Sequence, residues 1–268
     1  MITAVDVGGT KTLVAQFGDD GLPANEVRFL TPPTAAGFIQ LLLAHLDELA
    51  PTKAIAIGVP GIVDENGVLL RCGNLNWKNV ALKQLLQERY NVPTYVENDA
   101  KLAALAEVNQ LKTVPRLGLY LTVSTGIGGG LIVDGKLHPA FRNNEPGHMQ
   151  LQFEGTWQQW QHFASGSAFV QHFGKQVHEF ERQKEWKDVA ERLSRGLLTL
   201  IPTLQPEVII FGGSVGNYFE HYNDFVLEKL QRLAPYTVIP RLIKAHHPNE
   251  AVLYGCYRHA NTYSRRVA

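Results

Sequence analysis

Apolar positions follow two periods along this chain, one suited to strands and one to helices. In residues 4–18, AVDVGGTKTLVAQFG, an apolar strand with Asp6 leads into Gly8, Gly9, Thr10 and Lys11, and residues 12–17, TLVAQF, are a second short run rich in strand formers. That pattern predicts a hairpin with a glycine pair at its tip. Residues 26–30 read as a third strand. After Pro32 and Pro33, Phe38, Leu41, Leu42, Leu46 and Leu49 recur at helical spacing from about 34 to 49. Ala54–Val59 has the continuous apolar character of a buried strand and ends in Gly58-Val59-Pro60-Gly61. A loop and a helix follow over residues 74–93, then a short strand at 94–97 feeding another helix. Strands alternating with helices predict a layered α/β domain.

The composition shifts near Val114 and Pro115, and the second half opens on the design of the first. Residues 117–124 form an apolar strand, TGIGGG a glycine-rich turn, and LIVDGKL a return strand with a tight Asp134-Gly135 turn. Helical segments at about 163–181 and 186–204, a strand at 207–213, a helix at 216–233 and a final helix at 249–263 complete the pattern. The expected domains are residues 1–114 and 115–248. No repeat of fixed period or low-complexity segment is visible.

A chain of 268 residues, 45% hydrophobic and 19% charged, has the balance of a soluble globular protein with a substantial core. Its formal net charge of zero gives no electrostatic case for nucleic acid or an anionic membrane as partner. Arg265-Arg266 is too short a cluster to change that and reads as a solvated terminus. No stretch approaches the roughly 20 apolar residues of a membrane span, and the sequence enters a strand with no leader, so the expected location is cytoplasmic. Cys72 and Cys256 stand in neither a C-x-x-C pair nor a metal-ligand spacing, and read as inert thiols.

The glycine turns carry the candidate chemistry. The dinucleotide fingerprint G-x-G-x-x-G is absent from residues 4–18, and a strand rather than a helix follows the glycines. A glycine pair lets bare N–H groups approach an anion. Thr10 adds a hydroxyl and Lys11 a positive charge, whereas Asp6 would repel phosphate unless a divalent cation stood between them. An ordinary hairpin with a surface lysine fits the first segment as well. A second glycine turn at the same place in the second half favours a polyphosphate held between two lobes. Gly212-Gly213, after the strand EVIIF, either packs against a nucleoside or serves a tight strand-to-helix turn.

In order along the chain stand DVGGTK (6–11), GVPGIVD (58–64), NLNW (74–77), ENDA (97–100), STGIGGGLIVDGKL (124–137), EPGHM (145–149) and FGGSV (211–215). This ordered set resembles the ROK family of bacterial sugar kinases and regulators, and the resemblance spans nearly the whole chain. It implies an α/β, two-lobed actin-like ATPase (ribonuclease H-like) fold with an interlobe active-site cleft, the final helix, 249–268, returning to the first lobe. It also implies ATP and Mg²⁺ as cofactors, a sugar as substrate and a homodimer. By resemblance Asp99 is the catalytic base; its place where a strand meets a helix also suits an N-cap carboxylate. Pro60, Gly61, Asn74, Asn98, Glu145 and His148 match sugar-binding positions. Asp6 matches the residue that holds Mg²⁺ through water, and Gly8, Gly9, Thr10, Lys11, Thr125, Gly126 and Gly128 match phosphate-loop positions. Gly212 and Gly213 complete the nucleotide set.

Two departures stand out. Many family members follow the G-H dipeptide with a cysteine cluster, roughly C-x-C-G-x-x-G-C, that binds zinc; here QLQFEGTWQQWQHFASG contains no cysteine, so no zinc is expected. Trp157, Trp160 and Phe163 either form an apolar cluster in its place or present an aromatic surface to a partner. Counting back from Ala164-Ser165-Gly166, the family's sugar-binding glutamate falls on Gln161, which loses the charge. Pro146 also replaces an aliphatic residue. The leading expectation is an ATP-dependent kinase acting on a hexose, with glucose O6 first. Polyphosphate as donor, an N-acylhexosamine or fructose as acceptor, and a sugar sensor without turnover are the alternatives. A DNA-binding regulator is disfavoured, since no helix-turn-helix precedes the first hairpin.

Overall fold

This computed structural model describes residues 1–73, 75–247 and 250–267, with side chains through Tyr263 in the last helix. The chain divides into two compact units, Met1–Ala106 with Glu250–Ala268, and Glu107–Asn249.

The first unit runs β1 (Ile2–Val7), β2 (Lys11–Phe17), β3 (Pro23–Leu30), α1 (Ala35–Leu49), β4 (Ala54–Val59), the short β5 (Ile62–Val63), β6 (Leu69–Arg71) and β7 (Lys78–Val80), α2 (Leu82–Tyr90), β8 (Thr94–Asn98) and α3 (Asp99–Asn109). The main sheet has the order β3-β2-β1-β4-β8. β1 pairs antiparallel with β2 and parallel with β4, and β4 pairs parallel with β8. The predicted hairpin, α1 and β4 all form. The Thr34 side chain accepts from Gly37 N to start α1, and Ala50 ends it in the left-handed region.

The buried strands alternate large with small. Val5, Val7, Ile55, Ile57 and Val59 face the core shared with Phe38, Leu42 and Leu86. Ala4, Ala15, Ala54 and Ala56 face the other way, against Leu102, Leu253, Cys256 and Ala260. That thin alanine face lets α9 (Ala251–Val267) lie close on β1 and β4. At Gly255 a Cβ would lie 2.0 Å from Leu102 O on α3, so only glycine permits this approach.

The second unit carries β9 (Leu117–Val123), β10 (Ile127–Val133), β11 (Lys136–Leu137), β12 (Gln150–Phe153), β13 (Thr156–Gln159), α4 (Trp160–Ala164), α5 (Gly166–Phe173), α6 (Gln183–Leu204), β14 (Val208–Gly212), the short α7 (Gly213–Gly216), α8 (Phe219–Leu233) and β15 (Arg241–Lys244). Its sheet order, β11-β10-β9-β14-β15, repeats the first plan: an antiparallel hairpin beside two parallel strands.

The helix expected over 163–181 is broken, because Ser165 ends α4 and caps α5 through Ala168 N, and Gly174 ends α5 in the left-handed region. The glycines 128–130 lie within β10 rather than on the turn. The helix expected from 216 begins at Phe219. Asn249, the expected start of the last helix, lies outside the described residues.

The cysteine-free stretch folds as the hairpin β12–β13 and α4. Trp160 is fully buried, donates its indole N–H to Arg192 O at 3.1 Å, and packs on Gly196. Phe163 stacks on Phe153 with ring centres 4.3 Å apart, and the Arg192 guanidinium covers Phe153. Trp157, at 72% exposed, stands outside this cluster. Truncating Trp160 to Ala removes both packing and an indole hydrogen bond. Chemical denaturation is expected to show a loss of about 3–5 kcal/mol.

Candidate active site

In the first unit the expected residues gather at the C-terminal ends of β1, β4 and β8, where parallel α/β sheets bind ligands. Asp6 pairs in register with Gly58, and Gly58 with Glu97, so these three residues share the thin face of the sheet. A side chain on Gly58 would run into Val252 and approach the Asp99 Cα. The missing Cβ leaves room for the Val252 side chain and the start of α3. Burial, and secondarily the charge of Asp99, push the Asp6 pKa up to about 7. The Cys256 thiol, which points its S–H at Val5 O, is pushed up by burial and by Asp6.

Asn98, rather than Asp99, caps the start of α3. Asn98 is the capping residue: its Oδ1 accepts from Lys101 N at 3.1 Å and its Nδ2 donates to Gly61 O at 2.9 Å. One amide thus ties the helix start to the Pro60-Gly61 loop. Asp99 occupies the first helical position, where its Oδ1 accepts from Ala100 N at 2.7 Å. Gly61 has φ +138°, and a Cβ there would lie 2.1 Å from Arg71 O, so this loop requires glycine. Asn74 lies outside the described residues.

The first glycine turn is closed by Gly8 N donating to Lys11 O at 2.9 Å. Gly9, Thr10 and Lys11 are exposed. Thr31, at the end of β3, donates its Oγ1 proton to Gly8 O and its N–H to Thr10 O. Nothing in the sequence pattern marked it.

In the second unit the residues gather around the β9–β10 turn. Ser124 N donates to Gly126 O, and Gly166 N to Ser124 O. Gln161 donates to Gln159 Oε1, and its own Oε1 lies where a Cβ on Gly126 would be 2.9 Å away. Its amide therefore lies against the β9–β10 turn. Glu145 precedes a 3-10 turn, Pro146–His148, packed on β10: a Cβ on Gly147 would lie 2.0 Å from Ile127 O, and Gly129 makes room for Pro146. His148 is exposed. Gly212 fits under the Tyr120 hydroxyl, and Gly213 has φ +77° against Val123 O.

A pocket of about 470 Å³ adjoins this turn, lined by Ser124, Thr125, Gln176, His178, Asn217 and Tyr218 among others. Of these, only Thr125 carries a signal in the sequence. Gly212-Gly213 after a buried strand was the one signal pointing there. Trp186 stacks on Tyr218 at 5.6 Å and holds that ring in place.

Together the two sheets define an α/β protein of the actin-like ATPase fold. A model of the ROK family matches residues 2–262, and the chain belongs to that family. The ROK family glucokinase from Streptomyces griseus, solved in complex with glucose and AMPPNP, has the same fold, with TM-score 0.82 at 24% identity over 97% of this chain and 99% of that one. The β-glucoside kinase of Klebsiella pneumoniae is 27% identical over 98% of this chain and 97% of its own. The xylose repressor of Caldicellulosiruptor bescii is 29% identical over 67% of this chain, which spans 53%, about half, of the repressor's length. Among the described residues, no group of three or more His, Cys, Asp or Glu is placed to hold a metal ion, and no helix is long and apolar enough to cross a membrane.

The raised Asp6 pKa gives a signed prediction. An unfolded Asp ionises near 3.8, so the cost of ionising Asp6 in the folded protein is absent below about pH 4 and fully present above about 7. Asp6→Asn removes that cost. In EDTA, its melting temperature relative to wild type is expected to rise from pH 4 to pH 8, by the equivalent of roughly 1 to 4 kcal/mol. A difference independent of pH would show that Asp6 ionises normally.

Proposed function

We propose that this chain is an ATP-dependent sugar kinase that transfers the γ-phosphoryl group to a hexose hydroxyl, with O6 of glucose as the leading acceptor. The observation that carries this reading is the placement of Asp6 and Asp99 as neighbouring carboxylates at strand ends, next to a glycine turn whose Gly9 and Thr10 N–H groups meet no acceptor among the described residues. Kinase relatives covering nearly the whole chain, and a structural neighbour solved with glucose and AMPPNP, support it.

In this reading Asp99 accepts the proton of the attacking hydroxyl. The hydroxyl oxygen bonds to the γ-phosphorus, the bond from that phosphorus to the β–γ bridging oxygen breaks, and ADP leaves. Ala100 N fixes one Asp99 oxygen. Asn98 holds Gly61 in place and keeps part of its amide bonding capacity for a sugar hydroxyl. Pro60, Glu145 and His148 complete the proposed sugar set, with Asn74 assigned by resemblance alone.

The hairpin Gly8-Gly9-Thr10-Lys11 and the turn Thr125-Gly126 supply N–H groups and a cation for phosphate oxygens. The pocket beside Gly213, with Tyr218 as an aromatic wall, suits the nucleoside. Two hard carboxylates crowded together fit Mg²⁺, which keeps most of its waters and takes one or two protein carboxylates. Asp6 would hold it through water, and the ion would offset the charge of the phosphates.

Replacing Asp99 by Ala tests the assignment. Sugar-dependent ADP formation with Mg-ATP is expected to fall at least a thousandfold, about 4 kcal/mol in the barrier. Glucose binding, measured by calorimetry, should change less than tenfold. Turnover equal to wild type would remove Asp99 as the base. Sugar binding without turnover in the wild type would make the chain a sensor, with Gln161→Glu the first change to try.

A further inference from the structure

The first glycine turn is fastened differently from the second, and the difference points to a residue with a role in phosphate binding. This inference rests on the kinase reading above. Every peptide group between Gly8 and Lys11 is a trans unit, so its C=O and the following N–H point to opposite sides. The Gly8–Gly9 peptide lies between two glycines, where flipping is least hindered. A flip would turn the Gly8 carbonyl toward the side on which the Gly9 N–H now lies, replacing a donor with a negative dipole.

One residue opposes that flip. Thr31 Oγ1 donates to Gly8 O at 2.8 Å, and Thr31 N donates to Thr10 O at 2.9 Å. Because Thr31 commits its single hydroxyl proton to Gly8 O, the 2.9 Å contact between its Oγ1 and Thr12 Oγ1 has Thr12 as donor. Both hydroxyls are buried, so this relay runs out of contact with water. Lys11 O is taken by Gly8 N. The carbonyls of Gly8, Thr10 and Lys11 are thus all engaged, while the N–H groups of Gly9 and Thr10 have no acceptor among the described residues. The second turn reaches a comparable state through the main chain alone, by the bonds of Ser124 and Gly166.

We propose that Thr31 is the positioning residue of the first phosphate hairpin. Its hydroxyl locks the Gly8–Gly9 peptide so that the Gly9 N–H, beside that of Thr10, receives phosphate oxygens of a nucleoside triphosphate. Thr31 itself touches no phosphate.

The test compares Thr31→Val, which keeps shape and loses the donor, with Thr31→Ser, which keeps the donor. In Val, KM for Mg-ATP and Kd for Mg-ADP are expected to rise about tenfold, the effect of one buried carbonyl left unpaired. KM for the sugar should be unchanged, and Ser should restore both nucleotide constants to within about twofold of wild type. A Val variant with wild-type nucleotide constants overturns the inference, whatever its melting temperature.

The calorimetric Mg-ADP arm needs no turnover. A tenfold weakening there in a protein that phosphorylates no sugar would sink the kinase reading and leave the role of Thr31 standing. Amide exchange in the wild type covers the case in which Val fails to fold. Mg-ADP is expected to slow exchange at Gly9 and Thr10, and unchanged exchange at both would overturn the inference.

Discussion

A buried carboxylate at the end of a sheet face, Asp6, within the field of Asp99 at the start of α3, constrains the first unit. Asp6 occupies the thin side of β1, beside Gly58 and within the field of Asp99, and burial raises its pKa toward neutrality. An ionised pair there is costly in the absence of a cation. The surrounding sequence accommodates that cost. Ala4, Ala54 and Ala56 keep the face thin, Gly58 leaves the space a side chain would fill, and Gly255 lets α9 close against α3. A functional group that costs stability is thus surrounded by positions that tolerate little change. That combination is expected at a working site.

The same strand order occurs twice, with different chemistry at corresponding places. Asp6 pairs with Gly58 in the first sheet; in the second, Thr122 pairs with Gly212. One plan therefore presents a charge and the other a neutral hydroxyl. A pocket lined by Tyr218 opens beside the second turn, whereas the paired carboxylates Asp6 and Asp99 stand in the first unit. The duplicated plan supplies two glycine turns, and its two copies carry different side chains beside them.

Much of this was legible in the chain because the signals are local. The glycine-tipped hairpins, α1 with Thr34 before it, and the all-buried β4 follow from period and capping alone. That Asn98 rather than Asp99 caps α3 was not legible. Both are good capping types, and the tether from Asn98 to Gly61, remote in sequence, decides which one caps. Ser165 split an expected helix because Gly166 N turns to Ser124 O. The glycines of β10 looked like a turn, yet Gly129 is spent on the approach of Pro146. Thr31 left no trace in the pattern, since the main-chain oxygens it holds, Gly8 O and Thr10 O, lie more than twenty residues away.

The most direct test is phosphorus NMR of the wild-type protein with Mg-ATP and, in turn, glucose, mannose, fructose, N-acetylglucosamine and N-acetylmannosamine, with polyphosphate as a parallel donor. A sugar phosphate appearing in step with ADP, for one of these sugars and only in its presence, is the predicted result. ATP left intact with every sugar, or hydrolysed at a rate that no sugar changes, would contradict a kinase built on Asp6 and Asp99.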